Sequence, residues 1–120
     1  MDKKILLVDD AAFMRMMIKD TLTKNGYTQI IEAADGEQAC AQYASEQPDL
    51  VIMDITMPNK TGIEALREIK AANPAAKIVM CSAMGQESMV VEAIKLGALD
   101  FIVKPFKADR ILQTVTKILG

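Results

Sequence analysis

The 120-residue sequence contains no histidine and only two cysteines. The absence of histidine excludes a Ser-His catalytic triad, a zinc site with histidine ligands and a phosphohistidine on this chain. Cys40 and Cys81 lack the CxxC spacing of redox and zinc motifs. We therefore interpret both as buried thiols that act as small hydrophobic side chains.

Long apolar runs, one-sided charge and glycine-rich nucleotide loops are also missing. The 14 basic and 16 acidic residues give a net charge of −2, without a basic cluster of the kind that binds nucleic acid. No apolar run is long enough to span a bilayer, and no leader-like segment precedes the first apolar run. Neither GxGxxG nor GxxxxGK[ST] occurs. We expect a cytoplasmic domain that neither binds nucleic acid nor inserts into a membrane.

What the sequence does contain is a regular alternation of strand-like and helix-like segments. Strands are predicted at Ile5–Val8, Thr28–Ala33, Leu50–Met53, Lys77–Cys81 and Leu99–Val103. Helices are predicted at Ala12–Lys24, Glu37–Glu46, from Thr61 to Asn73, at Glu87–Leu96 and at Ala108–Leu119. This order is typical of a parallel sheet with helices on both faces. We therefore predict a single α/β domain with (βα)₅ architecture.

Polar side chains follow four of the predicted strands. Asp9 and Asp10 follow the first strand, Asp54 the third, Ser82 the fourth and Lys104 the fifth. Parallel strands have their carboxyl ends at one edge of the sheet, where α/β proteins bind ligands. We therefore expect these five side chains to lie close together.

Each of these residues alone has an ordinary explanation. Asp9 and Asp10 suit a helix N-cap and its neighbour, Asp54 suits a turn, and Lys104 suits a solvated surface position. Three carboxylates at one edge, however, repel one another and destabilise the fold unless a cation is bound. Ligands that are all oxygen favour Mg²⁺ over zinc.

An aspartate at this edge can also act as a nucleophile. Asp54 needs no general base to attack phosphorus, because a carboxylate is already ionised near neutral pH. A metal on Asp10 and Asp54, together with the Lys104 ammonium, would reduce the repulsion between the two anions. The Ser82 hydroxyl can bond a phosphoryl oxygen.

Together these motifs resemble the receiver domains of two-component response regulators, over the whole chain. The resemblance rests on residues at four strand ends: Asp9-Asp10, Asp54 in DITMP, Ser82-Ala83 and Lys104-Pro105-Phe106. It implies the flavodoxin-like receiver fold, with a five-stranded parallel sheet in the order 2-1-3-4-5. It also implies one receiver domain over residues 1–120, without an output domain.

The resemblance implies a role for each polar residue. Asp54 accepts a phosphoryl group from a partner histidine kinase, and Lys104 pairs with the phosphoryl oxygens. Asp10 binds Mg²⁺ directly, as does Asp54, while Asp9 ligates it or acts through water. The backbone carbonyl of Thr56 completes the protein ligands.

The resemblance also implies a conformational switch. Ser82 moves to bond the phosphoryl group, and Phe101 turns inward behind it. To shift a two-state equilibrium from 1:99 to 99:1 takes roughly 5.5 kcal/mol, whereas one hydrogen bond to a charged group supplies about 1.5–3 kcal/mol. Lys104 and the metal must therefore contribute as well. By the same resemblance, Thr56 and Met84 occupy positions that tune the lifetime of the acyl phosphate.

The output is expected to be binding, because the chain ends at Gly120 after the fifth predicted helix. The segments DDAAFMRMM, DITMP and CSAMGQ resemble the chemotaxis type of receiver. This resemblance implies a histidine kinase, a phosphatase and a flagellar motor switch protein as partners. It also implies that the chain is a monomer. The fourth helix is more apolar than one buried face requires. We predict a partner surface at Met89, Val90 and Phe101; a helix buried beneath a loop is the alternative.

Other functions remain open on the sequence. A phosphorelay carrier is the alternative within the family. A haloacid-dehalogenase-like phosphatase also forms an aspartyl phosphate, but it carries a second acid where this chain has Thr56. An FMN carrier needs a phosphate loop where Asp9 and Asp10 would repel the phosphate. We expect a signalling protein that catalyses only its own phosphorylation and dephosphorylation.

Overall fold

The computed structural model describes residues 3–120, so the first two residues of the predicted domain 1–120 lie outside it. Strands and helices alternate throughout. The strands are β1 (Lys4–Val8), β2 (Gln29–Ala33), β3 (Leu50–Asp54), β4 (Ile78–Ala83) and β5 (Asp100–Lys104). The helices are α1 (Ala12–Lys24), α2 (Gly36–Glu46), α3 (Gly62–Ala72), α4 (Glu87–Lys95) and α5 (Ala108–Leu119). None of these helices is long and apolar enough to cross a membrane.

The five strands form one parallel sheet in the order β2-β1-β3-β4-β5, which confirms the predicted fold. Three strands, β3, β4 and β5, extend further at their carboxyl ends than predicted, because backbone pairing continues past the apolar runs. Asp54 pairs with Cys81, and Ala83 pairs with Lys104. The polar residues Asp54, Ser82 and Lys104 therefore lie within the ends of strands, where the sheet fixes their backbone, and not in the loops that follow.

Alternating side chains of the three central strands, β1, β3 and β4, supply two separate cores, one on each face of the sheet. In β1, Leu6 and Val8 pack beneath α2, α3 and α4, whereas Ile5 and Leu7 pack beneath α1 and α5. All four side chains are buried. Burial of each large apolar side chain contributes about 1.5–3 kcal/mol, so a parallel strand buried on both faces is strongly held.

Two helix ends follow the signals in the sequence. Thr61 and Glu64 form the predicted capping box: Thr61 Oγ1 accepts from the Glu64 N–H at 3.2 Å, and Glu64 Oε1 accepts from the Thr61 N–H at 3.0 Å. At the end of α1, Gly26 takes a left-handed conformation with a φ of 94°. These local devices fix where α1 stops and where α3 starts.

The start of α3 packs directly on the end of β3 at Gly62. The Gly62 N–H donates to the Ile55 carbonyl at 2.7 Å. A Cβ atom at Gly62 would lie 2.0 Å from the Asp54 carbonyl oxygen, which is closer than any real contact. Only glycine therefore allows α3 to approach the strand that carries Asp54.

We expect the Gly62→Ala substitution to lower the free energy of unfolding by about 1–3 kcal/mol, because backbone has to shift to admit the methyl group. Helix propensity alone predicts the opposite sign, since alanine is favoured over glycine in a helix. Urea denaturation followed by circular dichroism distinguishes the two. A variant as stable as the wild type would contradict the close packing of α3 on β3.

Candidate functional site

Three carboxylates converge at the carboxyl edge of the sheet. Oxygen atoms of Asp9, Asp10 and Asp54 all lie within 4.8 Å of one another. β1 and β3 are neighbours, and strand order reverses between them, since β2 lies on one side and β4 and β5 on the other. Asp9 and Asp54 are buried, whereas Asp10 is exposed. The buried Asp9 and Asp54 therefore anchor the cluster in the protein, and the exposed Asp10 leaves it open to solvent, as a ligand site requires.

Lys104 reaches the same cluster from β5. Its Nζ lies 2.8 Å from Asp9 Oδ2 and 3.3 Å from Asp54 Oδ2. The Lys104-Pro105 peptide bond that follows is cis. The structure thus brings the ammonium and the three predicted acids together, although they come from positions up to 95 residues apart in the sequence.

The electrostatics of the cluster are unfavourable for Asp54. Burial raises the pKa of Asp54, and the charge of Asp9 raises it further, while Lys104 only partly opposes this rise. The pKa of Lys104 moves in the direction that favours its charge. Burial alone would lower that pKa, but the hydrogen bond to Asp9 and the charges of both carboxylates outweigh burial and raise it.

Asp9 is fixed by contacts on both its side chain and its backbone. Asp9 Oδ1 accepts from the Ala11 N–H at 2.9 Å, ahead of the first turn of α1, where Ala11 is the N-cap residue. Neither Asp9 nor Asp10 is therefore the N-cap of α1. Arg15 donates from Nη1 to the Asp9 carbonyl at 2.5 Å and from Nε to Glu32 Oε1 at 2.9 Å. Nothing in the sequence around Arg15 indicates this role.

The loop between β3 and α3 is anchored by residues that sequence reasoning also missed. Asn59 has a left-handed backbone with a φ of 67°, and its Nδ2 donates to Asp35 Oδ2 at 2.7 Å. Hydrogen bonds from the Gln38 N–H and from Asn59 lower the pKa of Asp35. The Gly36 N–H donates to the Lys60 carbonyl at 3.0 Å. These contacts hold the loop that carries Thr56. The sequence signal for this anchored loop is Asn59 itself, because asparagine adopts the left-handed conformation more readily than most residues.

Ser82 lies at the same edge of the sheet but borders a different feature. It is 1% exposed. It lines an apolar groove of about 720 Å³ between α4 and β5, together with Val90, Phe101 and Val103. Phe101 is 38% exposed in this groove. Both residues predicted to switch therefore line one surface feature.

Only part of the predicted partner surface lines this groove. Val90, Val91 and Ile94 line the groove, whereas Met89 lies outside its lining. Met89 and Val91 are 43% and 53% exposed, so α4 presents apolar side chains to solvent and is not buried beneath a loop. We call the groove lined by Ser82, Val90, Val91, Ile94, Phe101 and Val103 the α4–β5 groove.

The donor set fits a hard divalent cation. The three clustered carboxylates supply oxygen atoms only, on a side open to solvent. Neither thiol competes as a ligand, because burial raises the pKa of Cys81 to about 12 and that of Cys40 to about 11. Cys81 is buried, as predicted, whereas Cys40 is only half-buried and its Sγ donates to Glu68 Oε2 at 3.6 Å.

Comparisons with known proteins agree with this geometry. The family model "Response regulator receiver domain" matches residues 5–116. The chain is 60% identical to Chemotaxis protein CheY of Bacillus subtilis over 120 residues, which cover both chains completely. It is 55% identical to Chemotaxis protein CheY of Thermotoga maritima over 118 residues, 98% of each chain.

A similar solved structure is the CheX-CheY-BeF3-Mg+2 complex from Borrelia burgdorferi. It matches with a TM-score of 0.92 and 36% identity, and the match covers 98% of this chain and 90% of that one. The fold, the convergent acids and these matches lead to one conclusion. The chain belongs to the response regulator receiver domain family and is a signalling protein similar to the chemotaxis regulators called CheY.

Proposed function

We propose that this protein is a phosphorylation-activated regulator of chemotaxis that accepts a phosphoryl group on Asp54. The observation that carries the proposal is the pairing of Asp54 with Lys104 at 3.3 Å inside a cluster of three carboxylates. An isolated structural aspartate needs no such surroundings. An acceptor does, because its anion must approach a second anion, and nearby positive charge stabilises that encounter.

A carboxylate oxygen of Asp54 forms a bond to phosphorus, while the bond from phosphorus to a histidine nitrogen of the partner kinase breaks. The imidazole leaves as a neutral group after it gains a proton. Lys104 already lies within reach of Asp54 and neutralises negative charge that develops on the phosphoryl oxygens. Attack of water on phosphorus later breaks the bond between phosphorus and the Asp54 oxygen, which regenerates the carboxylate and releases inorganic phosphate.

Asp10, Asp54 and the backbone carbonyl of Thr56 would hold Mg²⁺, with Asp9 as a ligand or as a partner through water. When bound, Mg²⁺ supplies electrostatic stabilisation of the transferring phosphoryl group. Asp10 is exposed and Asp9 is held by Lys104 at 2.8 Å, which supports Asp10 as the direct ligand and Asp9 as the indirect one.

The switch follows from where Ser82 starts. Its side chain lines the α4–β5 groove beside Phe101, so a move toward a phosphoryl group on Asp54 vacates space that Phe101 can enter. The phosphoryl group carries a charge of about −1.5 to −2. Its bonds to Ser82 and Lys104 supply the free-energy difference that favours the phosphorylated arrangement of Ser82 and Phe101 over the unphosphorylated one. The shape of the α4–β5 groove then depends on whether Asp54 is phosphorylated.

The groove is the proposed docking site for a flagellar motor switch protein. Relatives named as chemotaxis proteins, at 54–60% identity, support this output. The Borrelia relative forms a complex with CheX, which supports a phosphatase-like partner as well. Phosphorelay transfer is the second candidate, because the chain is 38% identical to Sporulation initiation phosphotransferase F of Bacillus subtilis. The lower identity places it behind chemotaxis.

We further propose that residues 1–120 act as one receiver domain and as a monomer in the cytoplasm. A diffusible messenger has to travel between its kinase and the motor switch, and a small monomer suits that task. The chain would catalyse only its own phosphorylation and dephosphorylation.

Incubation with Mg²⁺ and acetyl phosphate tests the central proposal. We expect intact mass spectrometry to show a gain of one phosphoryl group in the wild type, none in Asp54→Asn, and none when a chelator replaces Mg²⁺. Asp20→Asn, which changes an exposed aspartate on α1, serves as the matched control and should be phosphorylated normally. Equal phosphorylation of Asp54→Asn would refute Asp54 as the acceptor.

The raised pKa of Asp54 predicts that its charge lowers the stability of the metal-free protein. In a chelator at neutral pH, Asp54→Asn should therefore have a higher free energy of unfolding than the wild type. The gain should shrink as pH falls through the raised folded-state pKa and vanish below 3.8, the ordinary pKa of aspartate, where Asp54 is protonated in both the folded and the unfolded state.

Urea denaturation across this pH range makes the measurement, with Asp20→Asn as control. Mg²⁺ at a hundredfold excess over its Kd should stabilise the wild type by about 2.7 kcal/mol and Asp54→Asn by less. An Asp54→Asn protein less stable than the wild type at neutral pH would contradict the assigned electrostatics.

Val91→Glu should weaken binding of the phosphorylated protein to a purified flagellar motor switch protein about tenfold, since a charge would enter the apolar groove. Met89→Glu, on the same helix but outside the groove lining, should weaken it less, and Ala71→Glu on exposed α3 surface should not change it. Calorimetric titration measures all three. Phosphorylation should be retained in each. Equal affinity of Val91→Glu and wild type would exclude the groove as the docking site.

A further inference from the structure

One side chain joins the two loops that flank the phosphorylation site. The Gln86 amide donates from Nε2 to Thr56 Oγ1 at 2.7 Å and accepts at Oε1 from the Ala83 N–H at 2.6 Å. Thr56 lies two residues after Asp54, and Ala83 directly follows Ser82. Gln86 therefore ties the loop after the acceptor to the loop after the proposed switch residue.

Gln86 lies at the start of α4, where a side chain ordinarily caps the helix. Gln86 is the N-cap residue of α4, but its side chain makes no capping hydrogen bond to the helix. Serine, threonine, aspartate and asparagine are the residues that ordinarily cap a helix here. Both ends of the Gln86 amide are instead used between the two loops. The residue is thus placed for the bridge and not for the stability of α4.

The bridge connects a fixed loop to a loosely packed one. On the Thr56 side, the loop is anchored by the hydrogen bond of 2.7 Å between Asn59 and Asp35. The other side is the β4–α4 loop, residues 84–86. There Met84 is 79% exposed, and Gly85 has a φ of 90° with no atom near the position of a side chain. The anchored loop therefore restrains the loose one through Gln86.

The restrained peptide unit directly follows the residue that moves in the proposed switch. When Ser82 moves from the α4–β5 groove toward Asp54 and the end of β4 shifts with it, the peptide unit that joins Ser82 to Ala83 is displaced. The N–H of that unit is the group that Gln86 Oε1 holds. The bridge and the movement of Ser82 thus oppose each other.

We propose that Gln86 is a latch that stabilises the unphosphorylated arrangement of the β4–α4 loop and must release Ala83 before Ser82 can bind a phosphoryl group on Asp54. This inference rests on the proposed function. It makes Gln86 a positioning residue, which acts through Ala83 and Thr56 and does not itself touch the reacting atoms. The strength of the latch then sets how easily the phosphoryl group shifts the equilibrium.

The latch is tested with Gln86→Met, which keeps the length of the side chain but removes the amide, and with Thr56→Val, which removes one partner. Ser88→Ala, an exposed change in the first turn of α4, is the matched control. Beryllium fluoride with Mg²⁺ is the phosphoryl analogue, titrated by calorimetry. We expect Gln86→Met to bind it about three- to tenfold more tightly than the wild type, and Ser88→Ala to bind it equally.

The double variant Thr56→Val/Gln86→Met should bind no more tightly than Gln86→Met alone, since both changes break one bridge. A second measurement is amide hydrogen exchange in the metal-free protein. The Ala83 amide should exchange more slowly than that of Met84 in the wild type and lose this protection in Gln86→Met.

The outcomes separate the latch from the function on which it rests. If the wild type binds the analogue but Gln86→Met binds it equally or more weakly, the latch is overturned and the proposed function stands. Rapid exchange of Ala83 in the wild type would overturn the latch in the same way. If no protein binds the analogue, wild type included, the proposed function fails and the latch fails with it. A general structural defect predicts weaker binding, so a gain in affinity has no such explanation.

Discussion

The mutual repulsion of three carboxylates within 4.8 Å is the constraint on which the rest of the site depends. Lys104 compensates for one of these charges by its contacts of 2.8 Å and 3.3 Å with Asp9 and Asp54. Three carboxylates and one ammonium leave two negative charges when all are ionised. A divalent cation balances that excess. Phosphorylation would replace the Asp54 carboxylate by a group with a charge of about −1.5 to −2, so the cation and Lys104 would still be needed. The negative charge of the site is therefore balanced only when a cation is bound.

A charge cluster of this kind needs a rigid support, because flexible side chains would simply separate. The support is the sheet: β1 and β3 lie side by side and fix the backbones of Asp9 and Asp54, while β5 supplies Lys104. β1, β3 and β4 are held by apolar cores on both faces, and Ile102 anchors β5 in the core beneath α1 and α5. The hydrophobic energy of these cores is what holds the carboxylates together against their repulsion. Stability elsewhere in the fold thus offsets the electrostatic strain at the edge.

Much of this arrangement could be predicted from the sequence, but different parts rested on different signals. Apolar periodicity located the strands and helices, and the convergence of Asp9, Asp54 and Lys104 followed from parallel strands alone. The strand order came from family resemblance, since periodicity carries no information on which strands pair. The strand ends were placed too early, because backbone pairing such as Asp54 with Cys81 leaves no trace in hydropathy. Arg15 and Gln86 were missed because their partners are fixed by the folded loops.

The same alternation that builds the two cores also links the site to the α4–β5 groove. In β5, Ile102 packs in the core beneath α1 and α5, and Lys104, two residues on, extends from the same face to the acids. Phe101 and Val103 face the other way and line the groove. Successive residues of one strand thus contact the proposed phosphorylation site and the proposed partner surface in turn. A change of charge at Asp54 needs no long pathway to reach the groove, because the two are opposite faces of the same strand.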